Sequence, residues 1–188
     1  MANNTFEKPT TDPIVIITKR AKEKMLDPIF SNPKKEIGGH LIGTISQDPI
    51  TKTVMVYIED VYMAKEYGSS SGFVFDSKFS MEAYEYIKRI YKDRDYGITN
   101  RVIGNVHSHA QYDAFWSATD KQMMEKIKTD ELYMVISPSE NNYKAVLKLI
   151  SNQPGKNHDY YPVNYIQSID LNKGQQSKCN KYTSNLEN

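Results

Sequence analysis

The chain has 188 residues, of which 39% are hydrophobic and 25% are charged, values typical of a globular domain. Its 24 basic and 23 acidic residues give a formal net charge of +1, which offers no electrostatic basis for binding nucleic acid or an anionic membrane. No apolar run approaches the ~20 residues needed to span a bilayer. These features argue against a disordered chain and against a helical membrane protein.

Cysteine content and the first residues bear on the cellular compartment. Cys179 is the only cysteine, so no intrachain disulfide can form and a cysteine-rich structural zinc site is excluded. The N-terminal residues lack the basic and then apolar pattern of a signal peptide. We therefore expect a cytoplasmic protein, with an inert Cys179 in a polar tail.

The first half of the chain predicts strands and helices in alternation after a polar, extended lead-in at residues 1–12. Runs rich in β-branched and aromatic residues predict strands, and apolar spacings of three and four predict helices. In chain order these are a strand at 13–18, a helix at 19–30, hairpin strands at 36–45 and 53–63, a flexible loop at 64–72, a short strand at 73–76 and an amphipathic helix at 78–92.

The second half continues in the same way and then loses its pattern. A strand is predicted at 101–107, a helix at 117–128, and the last clear strands at 132–137 and 143–150. Residues 13–152 are therefore expected to form one α/β domain, a sandwich built around one mixed sheet. Residues 153–188 are predicted to be a polar, partly disordered extension, frayed from residue 172 onward.

The most informative segment is residues 106–121, VHSHAQYDAFWSATDK. His107 and His109 lie two apart at a strand end, so their side chains leave the same face and can converge on one metal ion. Asp120 begins the next helix, and the loop 110–119 is long enough to fold it back to the histidines. Two histidines and one carboxylate leave a fourth tetrahedral position open, as in a catalytic zinc site.

Hydrolysis at such a site also needs a group that accepts and returns a proton. Glu36 is the candidate, because it stands just before Gly38 and Gly39, and glycines in a strand let a neighbouring backbone or a substrate approach closely. Ser117 can supply the hydrogen-bond donor that stabilises an oxyanion.

Together these residues form the pattern Glu-x-Gly-Gly, from Glu36, followed by His-x-His-x7-Ser-x2-Asp, from His107 to Asp120. The pattern resembles the catalytic (JAMM) signature of the JAB/MPN metalloproteases. The likeness extends over about residues 14–150, including 41–43 and 73–76. Ala110 departs from it, because catalytic members usually have proline after the second histidine.

The resemblance implies a JAB/MPN-like (cytidine-deaminase-like) α-β-α sandwich around a mixed, mostly antiparallel sheet. It implies one catalytic Zn²⁺ held by His107, His109 and Asp120, with Glu36 as general base and acid and Ser117 as the oxyanion helper. It also implies a substrate joined through the C-terminus of a ubiquitin-like protein, for example to a target lysine. Compact members of this kind include some that serve ubiquitin-like conjugation systems in antiviral defence.

Other interpretations stay open beside this one. Ser117 and Asp120 together resemble a helix capping box. His40 is about 13 Å from Glu36 along the strand and is expected to be a core or rim residue, while His158 is expected to be exposed. Asp113 and Trp116 either pack as structural residues or orient a histidine and wall the substrate groove; packing is the expected role for Trp116. The loop 64–72 is either a plain connection or a flap over the substrate.

The function itself has rivals. One is a non-catalytic MPN-type scaffold that only binds partners. Another is a protease that trims a linear ubiquitin-like or sulfur-carrier precursor, and a third is a DNA-associated relative, against which the near-zero charge counts. The sequence does not predict the oligomeric state or the identity of the modifier.

Overall fold

The computed structural model describes residues 6–64, 68, 75–91, 101–153 and 155–170. Within these ranges the chain forms three helices and eight strands, and all the strands join one sheet. The elements are, in chain order, β1 (Ile14–Thr18), α1 (Lys19–Ser31), β2 (Gly38–Gln47), β3 (Val54–Met63), α2 (Ser77–Tyr91), β4 (Arg101–Ser108), α3 (Ala118–Lys126), β5 (Glu131–Ser137), β6 (Asn142–Ile150), β7 (His158–Pro162) and β8 (Ile166–Ile169).

The sheet runs in the order β7-β6-β5-β4-β2-β3-β1-β8. Four neighbouring pairs are antiparallel, β2–β3, β2–β4, β5–β6 and β6–β7. Three are parallel, β1–β3, β1–β8 and β4–β5. The predicted mixed, mostly antiparallel sheet is confirmed. Because β4 and β5 are parallel neighbours, the chain must cross over between them, and α3 forms part of that crossover.

Helices pack on both faces of this sheet. Successive side chains of a strand point to opposite faces. Leu41 of β2 belongs to the larger core cluster, which also contains Ile29 of α1. Its neighbour Ile42 packs in a second cluster with Phe79 of α2. The helices α1 and α2 therefore cover opposite faces, as expected for an α-β-α sandwich.

A buried lysine ties α3 to the α2 side of the sheet. Leu147 of β6 belongs to the core cluster on the α1 side, so the next residue, Lys148, points the other way. The Nζ of Lys148 donates to the main-chain carbonyl of Met124, at 3.1 Å, and to that of Ile127. These carbonyls end α3, where a positive charge is favourable. Lys148 is fully buried and thereby anchors the helix that carries Asp120.

Gly104 allows β4 and β5 to approach closely. A Cβ atom at this position would lie 1.8 Å from the carbonyl oxygen of Leu132, far inside van der Waals contact. Any side chain would force the two parallel strands apart. The strand that ends in the histidine pair can therefore pair with β5 only because residue 104 has no side chain.

Two expectations about elements were wrong or incomplete. Of the strand predicted at residues 73–76, Phe75 and Asp76 are not in a strand, and the other two residues lie outside the described ranges. Asp76 instead caps α2, because its Oδ1 accepts from the backbone N–H of Phe79 at 2.7 Å. Strands were also expected to end near residue 150, whereas β7 and β8 extend the sheet at both edges.

The remaining predictions, for the chain ends and the long loop, fall mostly outside the described ranges. Residues 1–5, most of the predicted loop 64–72 and the predicted frayed tail 172–188, with Cys179, are among these. In the described part of the chain, no helix has both the length and the apolar character needed to cross a membrane.

A buried ion pair links α1 to β3. Lys24 Nζ lies 2.9 Å from Asp60 Oδ1, and the Asp60 side chain is only 4% exposed. Lys24 also donates to the Tyr86 hydroxyl of α2 at 2.7 Å. A second lysine, Lys52, has a side chain of nearly equal exposure, 30% against 31%, but its partner Glu7 is 66% exposed.

We expect Lys24→Met to lower the free energy of unfolding by about 2–3 kcal/mol, because it leaves a buried carboxylate without its counter-charge. Lys52→Met is the matched control and should cost less than about 1 kcal/mol, since Glu7 stays hydrated. Urea unfolding followed by circular dichroism measures both. Equal losses in the two variants would contradict the importance of the Lys24–Asp60 pair.

Candidate metal centre

The two predicted histidine ligands are fixed by main-chain pairing at the end of β4. His107 lies opposite Gly38 in the antiparallel β2–β4 pair and beside Val135 in the parallel β4–β5 pair. The backbone N–H of His109, just past the strand, donates to the carbonyl of Ile136 at 2.9 Å. Both histidines are buried. The neighbouring strands β2 and β5 therefore hold the end of β4, with its two histidines, from both sides.

Asp120 reaches the histidines from the first turn of α3. Ser117 is the N-cap residue, and its Oγ accepts from the backbone N–H of Asp120 at 3.1 Å. In return, the backbone N–H of Ser117 donates to Asp120 Oδ2 at 2.8 Å. The capping-box interpretation of this pair is thus correct, and it does not compete with metal binding, because Oδ1 of Asp120 remains directed at His107.

The three side chains converge closely enough to share one ion. His107 Nε2 lies 3.3 Å from His109 Nε2 and 3.2 Å from Asp120 Oδ1, and His109 Nε2 lies 3.7 Å from Asp120 Oδ2. Ligand atoms about 2.0–2.1 Å from a tetrahedral ion are about 3.3 Å apart. Among the described residues, this is the only group of three or more potential ligands within 4.8 Å of one another. The buried group can hold a divalent metal ion.

Hydrogen bonding selects the tautomer of His109 that can bind metal. Its Nδ1 lies 3.3 Å from the main-chain carbonyl of Asp113. A carbonyl can only accept, so Nδ1 carries the proton and Nε2 offers its lone pair to the cluster. The Asp113 side chain is itself held by Asn142 Nδ2 at 2.8 Å. Of the two roles considered for Asp113, this contact supports the orientation of a histidine, which here involves the main-chain carbonyl of Asp113.

Glu36 lies beside this cluster, just before β2. It is 7% exposed, and its charge is near enough to raise the pKa of His109. The backbone N–H of the neighbouring Ile37 donates to the Ser108 hydroxyl, and the backbone N–H of Ser108, between the two histidines, donates to the Ile37 carbonyl. The structure thus brings together all five residues that the sequence analysis proposed, from three separate parts of the chain.

The sequence profile of the prokaryotic homologs of the JAB domain matches residues 18–150, well over half of the chain. This chain belongs to that family. The solution structure of protein DSY2949 from Desulfitobacterium hafniense is similar in fold, with a TM-score of 0.58 at 21% identity, over 86% of this chain and 97% of that one. No curated protein matches the sequence. The resemblance to the JAB/MPN family is therefore confirmed.

Other residues of this JAB domain considered as candidates lie away from the three clustered side chains. His40 is buried on the α2 side, where its Nδ1 donates to Asn105 Oδ1 at 2.6 Å and its ring stacks on Phe79. Its expected role as a core residue is confirmed. His158 was expected to be exposed, which is wrong: it is 8% exposed, because β7 pairs with β6 and Tyr160 bonds Glu125 near the end of α3.

The loop between the ligands contributes an aromatic contact that the sequence analysis did not single out. The Phe115 ring packs edge-on against the His109 imidazole, with centroids 4.6 Å apart. Trp116, which was considered instead, is half-buried. Ala110, at the position where proline is usual, is 1% exposed. The sequence signal for Phe115 was its place as a large apolar residue six positions after the second histidine.

Burial and hydrogen bonding have opposite effects on the pKa values of Asp120 and His109. Burial raises the pKa of Asp120, but hydrogen bonds from His107 and His109 outweigh it and hold that pKa well below its usual range. Burial lowers the pKa of His109, whereas the hydrogen bonds to Asp120 and to the Asp113 carbonyl raise it, with a contribution from Glu36. The net shift of His109 is upward.

This upward shift predicts how metal binding depends on pH. A histidine must be neutral to coordinate, so protons compete with the metal below its pKa. Because the pKa of His109 is raised, the affinity for added Zn²⁺ should begin to fall at a higher pH than for an ordinary histidine near ~6.5. Below that pKa, we expect the affinity for Zn²⁺ to fall about tenfold per unit decrease in pH for each proton displaced. Calorimetry between about pH 8 and 5.5 measures this.

His158→Gln is the control, since it removes a buried histidine outside the cluster and should leave this pH slope unchanged. His109→Gln should flatten the slope and weaken binding at every pH. A pH-independent affinity in the unmodified protein would remove His109 from the ligand set.

Proposed function

We propose that this JAB-domain protein is a zinc-dependent metalloprotease. It hydrolyses an isopeptide or peptide bond that follows the C-terminus of a ubiquitin-like protein. The observation that carries the proposal is the buried group of His107, His109 and Asp120, spaced as for a tetrahedral ion, beside the buried carboxylate of Glu36. Family membership supports the same assignment.

Zinc is the ion that this donor set favours. Two neutral imidazoles and one carboxylate match the three-ligand catalytic zinc sites that keep a fourth position open. When bound, the ion would polarise the scissile carbonyl and make a nucleophile available from water near neutral pH. The buried surroundings of the three ligands strengthen the electrostatic effect of the charge they hold.

Glu36 is proposed to move the proton. A carboxylate that is only 7% exposed and near His109 can accept a proton from the attacking water and return it to the departing amine. Glu36 is not among the three clustered candidate ligands, so the proposal gives it a role in proton transfer and none in holding the ion. The same group then serves as base in the first half of the reaction and as acid in the second.

Ser117 is proposed to stabilise the oxyanion. Its Oγ accepts from the backbone N–H of Asp120, which orients the hydroxyl and leaves its own proton available for donation. The residue is half-buried at the edge of the cluster. A hydroxyl held in this way is pre-oriented for charge that develops on the carbonyl oxygen.

The substrate class follows from the family resemblance: a ubiquitin-like protein joined to the lysine of a target. The partner is accordingly such a protein or its conjugate, acting in the cytoplasm, and the near-neutral net charge supports neither nucleic acid nor membrane as a substrate. Trimming of a linear precursor would use the same residues. A purely binding scaffold is less well supported, because the complete ligand set is present.

The first test replaces Glu36 with its uncharged isostere. We expect Glu36→Gln to lower kcat for cleavage of a lysine-linked ubiquitin-like conjugate by about 10²–10⁴-fold, the usual worth of general acid–base catalysis. One equivalent of zinc should remain bound, since Glu36 is not a ligand. Gel-based cleavage assays and metal analysis of the same preparation measure the two effects.

Glu131→Gln is a matched control for this experiment. Glu131 is similarly buried, at 9% exposure, but it accepts from Asn105 and Thr129 and lies outside the metal cluster. Its variant should keep kcat within a few-fold. Undiminished cleavage by Glu36→Gln would remove this residue from the chemistry, and zinc binding without cleavage of any conjugate would favour the scaffold.

A second test separates the two protease hypotheses. The same ubiquitin-like protein is offered as a lysine-linked conjugate and as a linear fusion to a peptide. We expect kcat/KM to be higher by at least about tenfold for the lysine-linked form, a difference of ~1.4 kcal/mol in transition-state binding. The reverse preference would favour precursor processing as the function.

A further inference from the structure

Ser108 is a buried polar residue that the proposed reaction does not use. It is the last residue of β4 and stands between the two histidines in the chain, yet it is 0% exposed. Because side chains alternate along a strand, its hydroxyl points to the face opposite the His107 imidazole. Ser108 therefore neither binds the metal nor contacts a substrate, and another reason is needed for a hydroxyl at this place.

The hydrogen bonds of Ser108 lie on both sides of Glu36. Its Oγ accepts from the backbone N–H of Ile37 at 3.0 Å and donates to the carbonyl of Lys35 at 3.4 Å. Its own backbone N–H donates to the carbonyl of Ile37 at 2.9 Å. One hydroxyl can accept and donate at once. The residues before and after Glu36 are thus joined to a single side chain, 73 positions beyond Lys35 and 71 beyond Ile37.

These contacts hold a segment that regular sheet pairing does not reach. The β2–β4 ladder begins with Gly38 opposite His107, so residues 35–37 precede it. The carbonyl of Glu36 is held from the other side by the backbone N–H of Gly68 at 2.8 Å. The backbone of Glu36 is therefore fixed between two neighbours, and the Ser108 hydroxyl supplies the bonds next to the histidines.

We infer that Ser108 is a positioning residue that places the Glu36 carboxylate beside the metal cluster, an inference that rests on the role proposed for Glu36. The hydroxyl couples the segment that carries the proton-transfer group directly to the strand that carries the metal ligands. A shift of about 1 Å in a reacting group can cost on the order of 10²-fold in rate. Loss of the Ser108 hydroxyl should affect proton transfer more than metal or substrate binding.

Ser108→Ala tests this by removing the hydroxyl alone. We expect kcat for the lysine-linked conjugate to fall by about 10–100-fold, while KM and the zinc stoichiometry stay within about threefold of the unmodified protein. Ser108→Thr retains a hydroxyl and should recover most of kcat. All variants are assayed well below their unfolding temperatures, as followed by circular dichroism.

Thr18→Ala is the matched control. The Thr18 hydroxyl is also buried, and it likewise accepts from one backbone N–H, that of Ala21 at 3.1 Å, and donates to one carbonyl, that of Glu59 at 2.9 Å. Its removal deletes the same two kinds of bond at the start of α1, away from the metal ligands. Thr18→Ala should lower the unfolding temperature without changing kcat. An equal fall of kcat in both variants would reduce Ser108 to a general stabilising residue.

A substrate-free measurement separates this inference from the proposed function. In the cobalt-substituted protein, the pH midpoint of the visible spectrum should change in Glu36→Gln and, in the same direction, in Ser108→Ala, but not in Thr18→Ala. Failure of the unmodified protein to cleave any conjugate would overturn the proposed function, while these spectra would still decide the role of Ser108.

Besides an equal fall of kcat in the Thr18→Ala control, three results would overturn the positioning role. One is a Ser108→Ala spectrum that matches the unmodified protein while Glu36→Gln differs. Another is a loss of zinc in Ser108→Ala, which would mean that the serine places the ligands instead. The third is a Glu36→Gln spectrum without any change, which would separate Glu36 from the metal altogether.

Discussion

The antiparallel pairing of β2 with β4 is the interaction on which the rest of the site depends. It sets Gly38 opposite His107 and so brings the segment of Glu36 against a strand that is far away in the sequence. Such long-range pairing must repay the entropy of closing the intervening chain. It does so through a buried ladder flanked by core on both faces. Without this register, the carboxylate and the imidazoles would belong to separate parts of the surface.

The third candidate ligand, Asp120, is positioned in a different way. Asp120 is delivered by the helix of a crossover between two parallel strands, and its position depends on helix-end chemistry at both termini. At the N-terminus the capping box uses one carboxylate oxygen and leaves the other for the cluster. At the C-terminus Lys148 donates to the main-chain carbonyls of Met124 and Ile127, where a positive charge is favourable. The Asp120 carboxylate therefore caps the helix with one oxygen while the other oxygen faces His107.

The elements that the sequence predicted well are those with long apolar patterns, and the errors occur where burial is one-sided. The helix α1 and the β2–β3 hairpin lie close to their predicted bounds. The edge strand β7 has a largely exposed face and contains a proline, so its sequence shows little apolar alternation. Because this strand was not predicted, His158 was wrongly expected to be exposed. Apolar residues within 73–76 favoured a strand, but Asp76 instead caps the helix that follows. The two glycines after Glu36 indicated a close approach at this place, but the family pattern was needed to pair it with the histidines, because spacing within one strand does not identify the partner strand.

The hydrogen bond that orients His109 ends on the main-chain carbonyl of Asp113, and this has a consequence for how such a site can diverge. A carbonyl is present whatever side chain stands at that position, so no substitution other than one that bends the loop can delete the bond. Residues around the loop are therefore free to drift while the imidazole keeps its tautomer. The orientation of His109 is set by the path of the backbone, and neighbouring side chains can change without loss of this hydrogen bond.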